Sequence, residues 1–424
     1  MSADRRFERE LPSLLEGLYV GPMPAYRDEV LARSARIRQR PAWSFLGRWL
    51  PIVDAVRRPI AWRSIGLVAL LAAVTLAVVA ALIAGSQRPL PAPFGQARTG
   101  LVAFALDGDI YTVDVTTGVT RAVVSGPETD QAPHWSRDGT RFAFLRNTQG
   151  PGPPDLYVAK ADGSDLRLVA AGAPAISGIY GFSPDGSEIL LTVNESGMKI
   201  AIARTDGSGL RTLDVGALQV AAIDSGPSWR PPDGAEILFV NGKASLHAIN
   251  VATGVVRTIV EPASGRNRET PKWSPDGARI AYIEWVSAAS GMSAQTHIVE
   301  ADGTGARVLP LPPGAVWQAF RSWSNDGSRL LAIRGDTGSY HTAVAAIVPA
   351  DGSGTGIEID YSAVIPPACC PEWEWAPDDL AILGIAPDLT GSLAVQVLLD
   401  PVEGTATAVP WTTSSLPTWQ RLAP

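Results

Sequence analysis

One unit recurs along most of the chain at a spacing of about 46 residues, and self-similarity at such a period turns apparent sites into architecture. Its clearest copy is "PKWSPDGARIAY", positions 271 to 282. Aligned with Trp273 are "HWSRDGTRFAF" at Trp135, "GFSPDGSEILL" at Phe182, "SWRPPDGAEILF" at Trp229, "SWSNDGSRLLAI" at Trp323 and "EWAPDDLAIL" at Trp375. The chain closes on "PTWQRLAP", where Trp419 takes the same place with no partner element behind it. A second element follows each Trp unit by about twenty residues, and seven copies of it run from "IYTVDVTTGVTRAVV" to "VQVLLDPVEGTATAV". A period of about 46 is the length of a four-stranded propeller blade.

The local chemistry agrees with a blade. Pro after Ser presets φ for a type I turn, Asp suits the next position, and Gly supplies the left-handed residue that joins the turn to the outgoing strand. "RIAY" and "RFAF" then alternate as a strand with two buried faces does. One Trp per unit fits a wedge between neighbouring sheets, since a Trp buries about 150–250 Å². Residues 100 to 124 hold the second, third and fourth strands of a unit but lack the Trp strand, and "LPTWQRL" at 416 to 422 is that missing strand. Pairing it with Leu101 to Phe104 closes a ring and removes an open edge. The expected fold is an all-β, seven-bladed propeller of four-stranded antiparallel blades, its first blade completed by the C-terminal strand.

The W-S-P-D-G-x-R-I-A-F unit, with the later Y-V-x-x-x-D-G turn, resembles the WD40-like PD40 repeat of TolB-like bacterial β-propellers. The resemblance covers residues 100–424 and implies fold rather than activity. TolB-like proteins of that family are six-bladed and periplasmic, with an extra α/β domain. Here the count is seven, and a membrane anchor replaces that domain.

Ahead of the propeller, "IGLVALLAAVTLAVVAALIAG" from Ile65 to Gly85 is uncharged throughout, about the length a helix needs to cross a hydrocarbon core of ~30 Å. It is expected to be a transmembrane helix held in membrane lipid. Residues 1–64 carry twelve Arg against seven acids, and Arg57, Arg58 and Arg63 lie just before the span. The positive-inside bias puts this basic segment, with a short helix over 26–38, in the cytoplasm and the acidic remainder outside the cell membrane. The Pro-rich stretch 86–99 reads as a tether. A basic inner helix, one span and an outer domain is also the layout of membrane anti-sigma regulators, although residues 1–64 contain no Cys or His for that family's zinc motif.

Chemistry is sparse. With a net charge of −7 the chain is not expected to bind nucleic acid. No G-x-S-x-G, H-E-x-x-H, Walker A or G-x-G-x-x-G sequence occurs, so no catalytic residue, cofactor or metal is assigned. His134, His247, His297 and His341 fall at different repeat positions and read as structural or surface groups. The recurrent Asp138, Asp185, Asp233, Asp276 and Asp326 are spread one per blade and read as turn formers rather than calcium ligands. Asp379 stands where Gly is expected in the last blade. Cys369 and Cys370 are the only cysteines, and as adjacent residues they can join only in a strained ring.

Function is then expected in the segments that break uniformity. The Ser-Pro-Asp-Gly turn and the later Asp-Gly turn open on one face. The other face receives variable loops, among them "EWVSAASGMSAQ", "RGDTGSYHT" and "DYSAVIPPACCPEW". Trp285, Met292, Tyr340, His341, Cys369 and Cys370 are the contact candidates there. The leading expectation is a membrane-anchored extracytoplasmic binding module for a protein, peptide or cell-envelope glycan, without enzymatic activity. A transmembrane signalling protein and a lyase or hydrolase at the channel mouth are the alternatives.

Overall fold

The structure is a computed structural model. It describes residues 95–423, except for 149–151, 173–174, 219, 221–225, 243, 289–290, 336–342, 365–371 and 388–393. The basic segment, the 65–85 span and most of the tether lie outside the described residues, as do Tyr340, His341, Cys369 and Cys370. Among the described residues no helix is long and apolar enough to cross a membrane.

Each repeat folds as the alternation of its side chains requires. The described residues form twenty-eight strands in seven four-stranded sheets, every neighbouring pair antiparallel. Blade I is sewn from both ends of the domain. Its innermost strand is Thr418–Leu422, paired with Arg98–Leu106 in the register Val102↔Trp419 and Ala103↔Thr418. The pairing expected for "LPTWQRL" is therefore present, and no sheet edge is left open at the join. In blades II to VII the inner strands are Thr129–Trp135, Ala175–Phe182, Ser228–Trp229, Arg266–Trp273, Trp317–Trp323 and Glu372–Trp375. Inner strands pack beside one another around the axis, whereas outermost strands such as Thr120–Val124 and Thr405–Ala408 are largely exposed.

The aromatic at the end of each inner strand is the wedge that the repeat implies. Trp135, Trp229, Trp273, Trp323, Trp375 and Trp419 are between 4% and 8% exposed, and Phe182 is 1% exposed. A further clamp comes from the Arg of the repeat. Arg279 of blade V lies over the Trp323 ring of blade VI, 5.1 Å from its centroid, and donates to the Gly327 carbonyl of that blade's turn. Arg329 repeats this on Trp375 and the Asp379 carbonyl; in blade IV, where Glu236 holds that repeat position, Arg230 from beside the wedge Trp229 reaches the Trp273 ring and the Gly277 carbonyl instead. A guanidinium over an indole with its N–H on a carbonyl ties one blade to the next through attraction as well as packing.

The turn aspartates are occupied locally. In blade II the Ser136 hydroxyl donates to Asp138 at 2.6 Å, and the Thr140 N–H donates to the same oxygen at 3.0 Å. Burial raises the carboxyls of Asp138, Asp185, Asp276 and Asp326. Their serine and backbone donors outweigh it and hold them below the usual range. Gly277 shows why the next position is Gly. Its φ is 68°, and a Cβ there would sit 2.0 Å from the Pro231 carbonyl oxygen of the preceding blade.

One expectation is corrected. "EWVSAASGMSAQ" is not an irregular loop: strands Arg279–Ala288 and Gly291–Glu300 stay paired out to Ala288↔Gly291. Continued alternation lets the hairpin satisfy its own backbone well past the length of the other blades. The chain reaches blade I on the side of the repeat turns. The Ala97 N–H donates to the Pro377 carbonyl of the blade VII turn at 2.8 Å, on the face of the uniform turns.

Candidate functional site: a charged central channel

Consecutive residues of a strand point to opposite faces, so the residue before each wedge aromatic is turned toward the axis. Around the ring these residues are His134, Gly181, Ser228, Lys272, Ser322, Glu374 and Thr418. Five of them, His134, Gly181, Lys272, Glu374 and Thr418, line one cavity of about 370 Å³ at the centre of the inner strands. Tyr180 adds an aromatic wall. The residue two places after the wedge contributes again. It is Pro in blades III, IV, V and VII, but Arg137, Asn325 and Arg421 in blades II, VI and I, and these three line the same cavity at its turn end.

The charges of this cavity act on one another. Burial pushes the Glu374 carboxyl up to about 7, opposed by the Trp419 backbone N–H and by Lys272, Arg137 and Arg421. Burial likewise pushes His134 down to about 4, which leaves it neutral at ordinary pH. Arg137 is lowered to about 10 by burial and by Arg421, with Glu374 opposing. Lys272 is lowered by burial against the pull of Glu372 and Glu374. The Lys272 side chain lies among the channel walls but is exposed to the water of the channel.

Arg421 is held rather than loose. It donates to Asn325 Oδ1 at 2.9 Å and to the Gly95 carbonyl. Asn325 is fixed in turn by Asp379, whose carboxylate accepts the Asn325 N–H at 2.6 Å, the Asp326 N–H at 2.9 Å and the Asn325 side-chain amide at 2.9 Å. Two departures from the repeat thus form one device. In blades III, IV and V, where Pro occupies the position of Asn325, there is no N–H to satisfy and Gly stands in the turn of the next blade. Where Asn325 brings an N–H, Asp379 supplies the acceptor, at φ 61° and 1% exposure. The substitution of Asp for Gly is a latch between blades VI and VII, not mere tolerance in the turn.

Of the six contact candidates, Tyr340, His341, Cys369 and Cys370 lie outside the described residues. Trp285 lies within its strand, donating to Glu269 Oε2 at 2.9 Å, and is not a wall of the channel. Met292 is on the facing strand of that hairpin. Sequence reasoning missed the channel because it weighed the repeated columns and set aside the unrepeated one beside them. The signal was present in the column before Trp, which changes character at every blade. A second set escaped too. At the start of the inner strands Asp130 pairs with Arg146 at 2.7 Å, Arg268 with Glu284 at 2.9 Å, and Arg334 with Gln318 at 3.0 Å, all five residues before the wedge.

Chemically, the channel offers cations in excess of carboxylates and one carboxyl that changes charge near neutrality. Ser245 Oγ lies 2.9 Å from His247 Nε2, but both are buried and the hydroxyl is donated to Asn241 at 2.7 Å, which makes this a core contact. Among the described residues no three His, Cys, Asp or Glu side chains are grouped as metal ligands.

No family model matches the chain, and no curated protein sequence does. Solved structures do match. An oligogalacturonate lyase in complex with manganese is 16% identical with a TM-score of 0.53, over 72% of this chain and 86% of that one. A prolyl endopeptidase is 11% identical with a TM-score of 0.53, over 76% of this chain and 50% of that one. TolB from Acinetobacter baumannii is 16% identical with a TM-score of 0.47, over 77% of this chain and 81% of that one. At these identities the likeness is one of fold alone: a β-propeller, here with seven blades.

Proposed function

We propose that the chain is a membrane-anchored, extracytoplasmic binding module whose ligand, a protein, peptide or envelope component, engages the central channel. The observation that carries this reading is the contrast within the inner strands: wedge and turn positions repeat, while the channel-facing position beside them changes at each blade and gathers charge at one end. Rigid scaffolds bind through the positions they leave variable. The 65–85 segment supplies the anchor in membrane lipid.

The test is photo-crosslinking in intact cells from p-benzoylphenylalanine at Tyr180, on the channel wall, against the same residue at Leu168 on an outer strand. Capture of one envelope component at Tyr180 alone is expected; equal capture at both sites, or none, overturns the reading. Protease added to spheroplasts must also cut the propeller, and full protection there contradicts the topology.

A second reading has one observation in its favour. A carboxyl near neutrality is what general acid–base catalysis needs, Glu374 has it, and a lyase and an endopeptidase share the fold. The two readings part on the captured component, which leaves a binding module with its mass unchanged and an enzyme as product.

A further inference from the structure

Arg137, Lys272, Arg421, Asn325, Glu372 and Glu374 line the one cavity together. Arg421 is committed to Asn325 and to the Gly95 carbonyl. Lys272 makes no ion pair or hydrogen bond through its ammonium among the described residues, although Glu372 and Glu374 pull on it from across the channel. An ammonium that faces the channel without a bonded counter-ion is open to an incoming anion, which pairs with it through charge-assisted hydrogen bonds.

The remaining wall narrows the choice. Tyr180, Trp373, Leu383 and Ile385 are apolar or aromatic surfaces around the charged end. A volume of about 370 Å³ sits at the small end of the range for ligand pockets, about 300–1,000 Å³. It holds one acidic group with a short apolar or ring-shaped body.

We propose that this cavity is a carboxylate-binding subsite, in which Lys272 pairs with the ligand's carboxylate and Glu374 donates a hydrogen bond to it. This rests on the binding-module reading and adds the chemistry of the ligand. Two acids sharing one proton bind where two carboxylates repel, so ligand uptake is coupled to proton uptake at Glu374. Glu374 is faced by Lys272 from blade V, Arg137 from blade II, Arg421 and the Trp419 N–H from blade I, and Glu372 from its own strand. His134, neutral in this range, takes no part in the charge balance. Affinity is expected to be highest with Glu374 protonated and to fall as pH rises through about 7.

The carboxylate has two natural sources, an acidic peptide side chain and a sugar acid. Each is tested with a matched neutral probe on the full chain in detergent. N-acetylglutamate is compared with N-acetylglutamine, and glucuronate with glucose, by calorimetric titration at pH 6 and pH 8. At least one acid is expected to bind about tenfold or more tightly than its neutral partner, and about tenfold more weakly at pH 8 than at pH 6. Lys272→Gln is expected to abolish the difference within a pair, while Lys272→Arg keeps it and Lys160→Gln, on an exposed strand end, leaves it unchanged. The acid that binds more tightly names the source. Equal binding of acid and neutral probe, tighter binding of inorganic phosphate than of either acid, or no binding of either acid up to about 10 mM overturns the proposal. Channel capture in cells that persists alongside any of these results keeps the binding-module reading and removes only the carboxylate.

Discussion

Lys272 and Trp273 are neighbours in one strand and belong to different parts of the molecule. Trp273 is one of six tryptophans at one repeat position, buried between sheets with Arg230 over its ring. Lys272 occurs at its repeat position once, against His, Gly, Ser, Glu and Thr elsewhere. The pleat sends one residue into the framework and the other into the channel. The lesson is that in a repeat protein the chemically eye-catching residue is framework when it recurs, and the residue beside it carries the specificity.

The largest effect separating the two regions is expected on removing the wedge. Trp273→Ala leaves a cavity between blades IV and V and should cost about 3–5 kcal/mol of stability, read as a lower midpoint in chemical denaturation. Lys272→Ala should leave that midpoint nearly in place. The latch at blades VI and VII comes next. Asn325→Pro strips two donors, the backbone N–H and the side-chain amide, from buried Asp379, and Asp379→Gly strips the acceptor from those two and the Asp326 N–H, each costing about 1–3 kcal/mol. The double variant restores the Pro and Gly pairing seen between Pro231 and Gly277, and a double-mutant cycle should return a favourable coupling of about 1–2 kcal/mol. Strict additivity would show that the two departures are unrelated.

Smaller effects sharpen the same contrast. Arg279→Lys keeps the charge but loses the planar fork over Trp323, for a loss of about 1 kcal/mol. Glu374→Gln acts through pH. The folded-state pKa of about 7 lies above the ordinary 4.5, so the folded chain holds more protons between those values and its stability falls as pH rises across that window. Relative to the parent, the Gln variant should gain stability from pH 4.5 to 7 and change little in relative terms outside it. His134, lowered from 6.5 to about 4, acts in the opposite sense in both proteins, so the difference between them isolates Glu374.

Much of the framework was legible because it is local. Ser, Asp and Gly at fixed offsets specify a turn wherever they stand, and a missing inner strand at residue 100 with a spare one at 416–422 specifies closure. The channel was not legible for the opposite reason. His134, Lys272 and Glu374 lie in blades II, V and VII, so their meeting depends on ring geometry rather than on spacing. The Asn325–Asp379 latch was visible as two oddities about fifty residues apart, and only the packing of adjacent turns makes them partners. The "EWVSAASGMSAQ" segment misled because length alone suggested a loop, while its alternation extends a hairpin.

The most direct test is a paired measurement on the two neighbours. Capture from p-benzoylphenylalanine at Tyr180 in intact cells, together with the denaturation midpoint, is compared in Lys272→Gln and Trp273→Phe backgrounds. The account predicts that Lys272→Gln loses capture with its midpoint almost unchanged, and that Trp273→Phe lowers the midpoint while its folded protein still captures. Capture untouched by Lys272→Gln and lost in folded Trp273→Phe would contradict it.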